Sequence, residues 1–454
     1  MPTQKLDAIR VFLIPRFSYL MQNSSPRVED LAEFDRAIKF AVKKICRIPL
    51  HGGALPYIYS PITKGGLGIP CVTDEYMLYS IVTVYKSLIN TDPRMQNFGI
   101  ERLKRLVQMW SGLDPTPNIC GDYLSHRTPV DLDPMYITKY TYMGNISRYR
   151  NAVTNLGKLG LKIDAQFSDT FEISLKVTTL DQKLLNFDKN YKGKIFSCLR
   201  NIITENYFVQ LTENYPNQGR MMKDVAESKY TNQYVRDGRY INSSSFRFVH
   251  RARLNLLPIG GTPMGRHLKI AEKCRRCWKE IETLSHILGQ CPSNEGLVTQ
   301  RHNEVLEQIW ESCQKIKRDK NVQILKEPLL KTDYGNFQPD LIKIDEQKKT
   351  VVIFDLIISS HIAKAFEIKR EKYANLAIFY SNKGYTANVM PIVIGQLGTW
   401  TIASEPSLEE LGFTSQRQTT VIRKMIFTTL NHSKNIYATH LFLPNIHNLK
   451  VIKK

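Results

Sequence analysis

The chain has 454 residues, with 42% hydrophobic and 10% aromatic side chains, a composition that excludes a disordered tail and predicts roughly two to four folded domains. Its 63 Lys and Arg against 42 Asp and Glu leave a formal net charge of +21, spread along the whole sequence, which suits a nucleic-acid partner. No run approaches the ~18 apolar residues of a spanning helix, and the opening Met1-Pro2-Thr3-Gln4-Lys5 lacks the apolar centre of a secretory signal, so no membrane partner is expected and a reducing compartment is.

Leu6, Ile9, Leu13, Phe17 and Leu20 recur at helical steps, as do Leu31, Phe34, Ile38, Val42 and Ile45, predicting two helices, the first kinked at Pro15. The Gly/Pro-rich stretches His51 to Pro56 and Lys64 to Pro70 cannot be helical and must turn tightly. A helical region from about Glu75 to Val107 closes this unit. From Asp114 to about Asn242 the pattern weakens, with Tyr-rich patches and the basic run Lys189 to Lys194, and reads as a mainly helical connector. It leads into Phe246 to Pro258, where arginines and a histidine alternate with apolar residues and predict a helix with a basic stripe. A helix over Leu297 to Ile316 follows. Leu341 to Ile344 and Thr350 to Ile358 then read as strands around the charged turn Asp345 to Lys349, before a polar helix from Ala363 to about Tyr380 and a buried strand over Val389 to Gly395; helices end the chain.

Five of the eight cysteines are isolated, as inert core cysteines usually are, and three cluster. Cys274-Arg275-Arg276-Cys277, then His286, then Cys291 supply four ligands of the kinds that Zn²⁺ takes in closed tetrahedral sites. Four protein ligands leave no open position, so the predicted zinc is structural. Arg275 and Arg276, between the first two ligands, read either as phosphate contacts or as ordinary solvated side chains.

A second constellation begins at Pro339-Asp340 and continues with Asp355 inside the apolar run Val351 to Ile358. An ionised carboxylate there is costly without a metal or partner. If the charged turn closes with Asp345 opposite Thr350, an antiparallel register puts Asp340 opposite Asp355, close enough to share one Mg²⁺ for phosphodiester hydrolysis. Lys369 and Lys372, three apart on the next helix with Tyr373 beside them, are candidates to orient water or steady developing charge. The competing reading is a plain hairpin with a capping Asp340, a strand-end Asp355 and a solvated lysine face.

Together and in this order, these segments resemble the C-terminal part of non-LTR retrotransposon polyproteins of the restriction-like-endonuclease class, the R-two type. Lys5 to Pro15 and Lys64 to Pro70 look like the reverse-transcriptase thumb. Arg253-Leu254-Asn255-Leu256-Leu257-Pro258 resembles the family's short basic motif for nucleic-acid binding, Cys274 to Cys291 its knuckle, and Pro339-Asp340, Asp355, Lys369 to Tyr373 and Ile394 to Trp400 its endonuclease.

The resemblance implies a multidomain α+β chain: residues 1–113 a thumb-like helical region, 114–245 a mainly helical linker, 246–296 the basic motif and CCHC zinc knuckle, and 297–454 an α/β restriction-endonuclease-like domain of PD-D/E-x-K type. It implies a nuclear enzyme that nicks target DNA with Mg²⁺ so that the freed 3′ end primes reverse transcription of element RNA. Catalysis then falls to Asp340, Asp355, Lys369, Lys372 and Tyr373, and nucleic-acid contact to Arg251, Arg253, Asn255, Arg275 and Arg276. The lysine that usually follows two residues after such an aspartate is replaced by Ile357. No Y-x-D-D or F-x-D-D sequence occurs, so the chain alone is not expected to polymerise. The alternatives are a catalytically inactive nucleic-acid-binding remnant and a truncated record of a full RNA-directed DNA polymerase.

Overall fold

In the computed structural model, which describes residues 1–127, 148–178, 184–187, 193–316 and 320–442, Pro15 disturbs the first helix as its missing N–H requires. Residues 2–23 stay helical, but Ala8–Leu13 forms a π-helical turn and Ile14–Phe17 a 3-10 turn around the proline. Helix α1 (Val28–Cys46) carries Glu29 and Asp30 in its first turn and Lys43 and Lys44 in its last, each favourable to the helix dipole. Its buried Asp35 accepts the backbone N–H groups of Val72 (2.7 Å) and Thr73 (2.9 Å), capping α2 (Val72–Leu88) from outside. Between them the glycine stretch turns as expected: Gly65 and Gly68 lie at φ +91° and +58°.

The middle of the chain departs from an all-helical pattern. α3 (Pro93–Ser111), α4 (Pro117–Leu124), α5 (Arg148–Leu159) and α6 (Ile195–Asn214) surround an antiparallel sheet, β1 (Ile163–Phe167), β2 (Ile173–Thr178) and β3 (Leu184–Phe187). Ile163, Ala165, Leu175, Val177 and Phe187 turn one face of that sheet into a separate core running from Leu78 to Ile203. Polar residues between them made the two-residue alternation short and easy to miss. Residues 189–192 of the basic run lie outside the described residues.

The basic segment forms α7 (Ser243–Arg253), started by Asn242, whose side chain accepts from the Ser245 N–H at 2.8 Å. The predicted helix after the cysteine cluster is α8 (Glu295–Gln314). The C-terminal sheet has the order β10–β8–β7–β4, with β4 (Val322–Lys326) and β7 (Leu341–Asp345) antiparallel, β7 and β8 (Thr350–Phe354) antiparallel, and β8 and β10 (Thr386–Val389) parallel. A hairpin, β5 (Leu330–Thr332) and β6 (Gly335–Phe337), lies outside it. Beyond breaks at Asp355 and at Met390-Pro391, β9 (Leu356–Ser359) and β11 (Ile392–Gly395) pair in parallel.

Successive β8 residues serve two cores. Val351 and Ile353 face Tyr373, Leu376 and Tyr380, while Val352 and Phe354 join the large core that also holds Val305, Ile309 and Met425. Burial on both faces explains why this strand is a continuous apolar run. The polar helix splits at Tyr373 into α9 (Ile362–Lys372) and α10 (Ala374–Asn382), and α11 (Ser415–Phe442) closes the unit against α8. The large core runs from Leu6 to Ile436 without interruption between the first helices, α7 and the C-terminal sheet. Among the described residues, no helix is long and apolar enough to cross a membrane.

Within that core His250 packs against Tyr57, Tyr234 and Phe246, and its Nδ1 lies 2.5 Å from the Tyr57 hydroxyl. Burial, reinforced by the Arg253 charge, pushes the imidazole down to about 3. An unfolded chain takes up that proton near pH 6.5, so the contribution of neutral His250 is whole above that pH and is lost as pH falls toward 3. In denaturant titrations across this window, wild-type stability should fall more steeply than that of His250→Gln; parallel slopes would refute the buried neutral imidazole.

Candidate functional site

Cys274 and Cys277 sit in a tight reversal in which Lys273 bridges Ile281, Cys274 donates its N–H to the Glu280 carbonyl at 2.8 Å, and Trp278 takes φ +59°. Backbone N–H groups of Arg276 and Cys277 point at the Cys274 sulfur, those of Lys279 and Glu280 at Cys277, and that of Ser293 at Cys291. Burial pushes the Cys274 thiol up to about 12, whereas at Cys277 burial is outweighed by the N–H donors together with the neighbouring Cys274 and Cys291 thiols, and the net shift is downward. His286 begins the π-helical turn His286–Gln290, which delivers Cys291 at its end.

The four ligand atoms lie within 4.8 Å of one another, with Cys274 and Cys291 sulfurs 3.9 Å apart and Cys277 Sγ 3.3 Å from His286 Nε2. A tetrahedral ion with bonds of about 2.3 Å to sulfur and 2.0 Å to nitrogen needs ligand separations of roughly 3.5–3.8 Å. The cluster can therefore hold a metal ion, and all eight cysteines are free of disulfides.

The two arginines between the first ligands are neither simply solvated nor openly displayed. Arg275 grips the fully buried Glu282 through Nε (2.6 Å) and Nη2 (2.8 Å). Arg276 is buried, and its Nη1 has no hydrogen-bond partner among the described residues. Burial acts to raise the Glu282 carboxyl, but donors from His440, Arg275 and the Gly260 N–H outweigh it and hold it down to about 2.

The carboxylates occupy the break in the C-terminal sheet. β7 and β8 pair with Asp345 opposite Thr350 and Leu341 opposite Phe354, the expected register, so Asp340 and Asp355 are the next positions beyond the ladder. Asp340 Oδ2 accepts the Leu356 N–H at 2.6 Å, reaching across to the residue after Asp355. Asp355 is 2% exposed. Both lysines predicted from the α9 face reach it: Lys369 Nζ is ion-paired with Oδ2, and Lys372 Nζ lies 3.9 Å from Oδ1. Tyr373 donates its hydroxyl to Asp355 Oδ1 at 2.5 Å and accepts from Lys372 Nζ at 2.8 Å. Burial and then the Asp355 contact push this phenol up, so it stays protonated. Ile357, partly buried, packs beside Val393 and Phe366.

Sequence reasoning missed His302. From α8 its Nε2 lies 3.2 Å from Asp340 Oδ2 and 3.2 Å from the Leu356 carbonyl. Burial would lower this imidazole, but the Asp340 carboxylate outweighs it and the net shift is upward. A single histidine on an amphipathic helix gives no sequence signal of such a contact.

The basic motif is placed differently from a surface stripe. Arg253 is 1% exposed and donates to Asn232 Oδ1 (2.8 Å) and to the carbonyls of Leu397 (2.9 Å) and Thr231 (3.4 Å), with its guanidinium 5.1 Å from the Tyr234 ring centre. It rivets α7 to the loop after β11. Arg251 is half-buried, and its Nε is enclosed without a partner among the described residues. Asn255, at φ +54°, borders a cleft of about 350 Å³ shared with Arg220, Ser285, Ser360 and Gln396.

Residues 78–256 match a family model described as the T26G10.4 domain. An uncharacterized protein T26G10.4 of Caenorhabditis elegans is 24% identical over 277 residues, covering 56% of this chain and 74% of that protein. A retrovirus-related Pol polyprotein from the type-1 retrotransposable element R2 of Nasonia vitripennis is 22% identical over 421 residues, 90% of this chain. One of the same description from Popillia japonica is 22% identical over 409 residues, 88% of this chain. The chain spans 32% and 66% of the length of those two polyproteins.

The burial of Arg253 separates architecture from surface contact. Arg253→Ala strands three buried acceptors and should cost about 3 kcal/mol of stability, whereas Arg251→Ala should cost well under half of that. Chemical denaturation measures both; an Arg253→Ala protein of unchanged stability would contradict the rivet.

Proposed function

We propose that this chain, a relative of the R2-type non-LTR retrotransposon polyproteins, carries a Mg²⁺-dependent endonuclease that nicks target DNA in the nucleus so that the freed 3′ end primes reverse transcription of element RNA. The observation that carries the proposal is the convergence of Lys369, Lys372 and Tyr373 on Asp355 at a sheet break that Asp340 also flanks. In this reading residues 1–113 are thumb-like, 114–245 a linker, 246–296 the basic motif and zinc knuckle, and 297–454 the restriction-like nuclease.

Hard cations prefer carboxylate oxygen, and Asp340 and Asp355, the next positions beyond the β7–β8 ladder, are the residues that would hold one. Asp340 commits Oδ2 to the Leu356 N–H and His302, while Oδ1 makes no bond among the described residues. A bound Mg²⁺ would supply Lewis-acid charge to the scissile phosphate and its attacking water. The chain's own groups do the rest. His302 and the Leu356 N–H fix the Asp340 carboxylate, Tyr373 orients Asp355, and Lys369 offers positive charge toward the phosphate when it leaves its ion pair. The net charge of +21 draws the polyanion in.

Supercoiled plasmid with Mg²⁺ should be nicked by the wild type, and Asp340→Ala, Asp355→Ala and Lys369→Ala should each slow nicking about 100-fold or more. A wild type as silent as its variants, with DNA binding intact, overturns the enzyme reading. Ile357 in place of a strand lysine favours a second reading, a binding protein with a dead nuclease fold, and that silent outcome is the one it requires.

For the metal cluster, three thiols and one imidazole at tetrahedral separations support structural Zn²⁺. Purified protein should contain about one zinc per chain, and Cys277→Ser together with Cys291→Ser should remove it. Metal analysis finding none in the wild type would withdraw the knuckle.

A further inference from the structure

Behind the proposed knuckle stands a residue that belongs to a different part of the chain. His440, fully buried in the last turns of α11, places Nε2 3.7 Å from Cys274 Sγ and 3.1 Å from Glu282 Oε1. Cys274, Glu282 and His440 also have their ligand atoms within 4.8 Å of one another. The other ring nitrogen fixes where the proton is. Asn294 Nδ2 donates to the Ile287 carbonyl at 2.9 Å, which orients its amide, and its second hydrogen meets His440 Nδ1 at 3.0 Å. Nδ1 is therefore the acceptor, and in the neutral ring the N–H is on Nε2, facing the sulfur and the carboxylate.

We propose that His440 is a positioning residue of the zinc site, giving an outer-sphere N–H to the Cys274 thiolate and to Glu282, so that the docking of α11 and the binding of zinc strengthen each other. The proposal rests on the zinc reading above. Three thiolates and a neutral imidazole around Zn²⁺ carry a net charge of −1, and a buried anion needs donors. Backbone N–H groups supply several of them to the sulfurs. His440 supplies one from 166 residues later in the chain, and Glu282 is held for it on the other side by Arg275 and the Gly260 N–H.

The same helix is fixed one and a half to two turns earlier. Arg301 Nη1 donates to Ser433 Oγ at 2.9 Å while its Nη2 donates to the Leu288 carbonyl, inside the turn that carries His286, at 2.8 Å. Ser433 Oγ in turn donates to the Gln396 carbonyl after β11 at 2.7 Å. α11 thus touches the cluster near its end and the loop after β11 about two turns earlier.

The test uses the full chain and zinc alone. Zinc affinity is measured by chelator competition at fixed pH for wild type, His440→Ala and His440→Gln, and amide exchange is followed over residues 433–442 with and without zinc. His440→Ala should bind zinc roughly 10–100-fold more weakly, and His440→Gln, whose amide can still donate, should recover most of the loss. Removing zinc from the wild type should speed exchange in the last turns of α11. If His440→Ala does not fold, the His440→Gln affinity and the wild-type exchange decide alone: affinity within about threefold of wild type and faster exchange on zinc removal support the coupling. Wild-type zinc binding with unchanged affinity in the alanine variant, no rescue by glutamine, or α11 exchange indifferent to zinc overturns the coupling and leaves the knuckle standing. A wild type that binds no zinc overturns both.

Discussion

An ionised carboxylate inside a sheet costs several kcal/mol unless charge or donors meet it, and Asp355 sits almost wholly enclosed where β8 gives way to β9. Much of the C-terminal unit is arranged around that demand. The strand breaks there, which takes Asp355 out of the ladder while Val351 to Phe354 keep both faces of the sheet covered. α9 ends beside it, so that two of its last-turn cations and the Tyr373 hydroxyl close on one carboxylate. Tyr373 also marks where α9 passes into α10, so the residue that satisfies the buried charge also sits at the break between the helices.

That arrangement was legible in the sequence because short-range geometry carries it. A five-residue charged turn sets a register, and the register alone makes Asp340 and Asp355 neighbours. A three-residue spacing puts Lys369 and Lys372 on one helical face. The cysteine cluster is legible for the same reason, since each of its two pairs of ligands is local. What escaped depends on long-range packing. His302 and His440 reach their partners from helices whose sequences look ordinary, and the sheet β1–β3 hides in short strands with polar residues between the buried ones.

The core from Leu78 to Ile203 is separate, yet the first helices, α7, the turn that carries His286 and the C-terminal sheet share one hydrophobic cluster. Three buried polar groups cross it at the points where such modules would be expected to part. Arg253 ties α7 to the loop after β11, Arg301 ties the His286 turn to α11, and Glu282 joins the cysteine reversal to His440. Each is costly to bury alone and meets its partners only when both sides are in place, which makes the relative placement of the elements specific as well as stable.

The same burial changes what the basic composition means. Arginines at 253, 276 and 301 count toward the +21 but present almost no surface, so their charge stabilises interior acceptors or lies enclosed instead of meeting phosphate. A motif rich in arginine is thus ambiguous until packing is known: alternation with apolar residues, which on a helix looks like a basic stripe, is also what a helix riveted on several sides displays. The long-range field that attracts a polyanion is set by net charge and survives this reassignment, because charge acts over about 8–10 Å of salt solution whichever side chain carries it. Local contact through Arg253 and Arg276 would not survive it, and on the proposed reading the side chains that touch nucleic acid are sought among exposed and half-exposed lysines and arginines outside the motif's buried core.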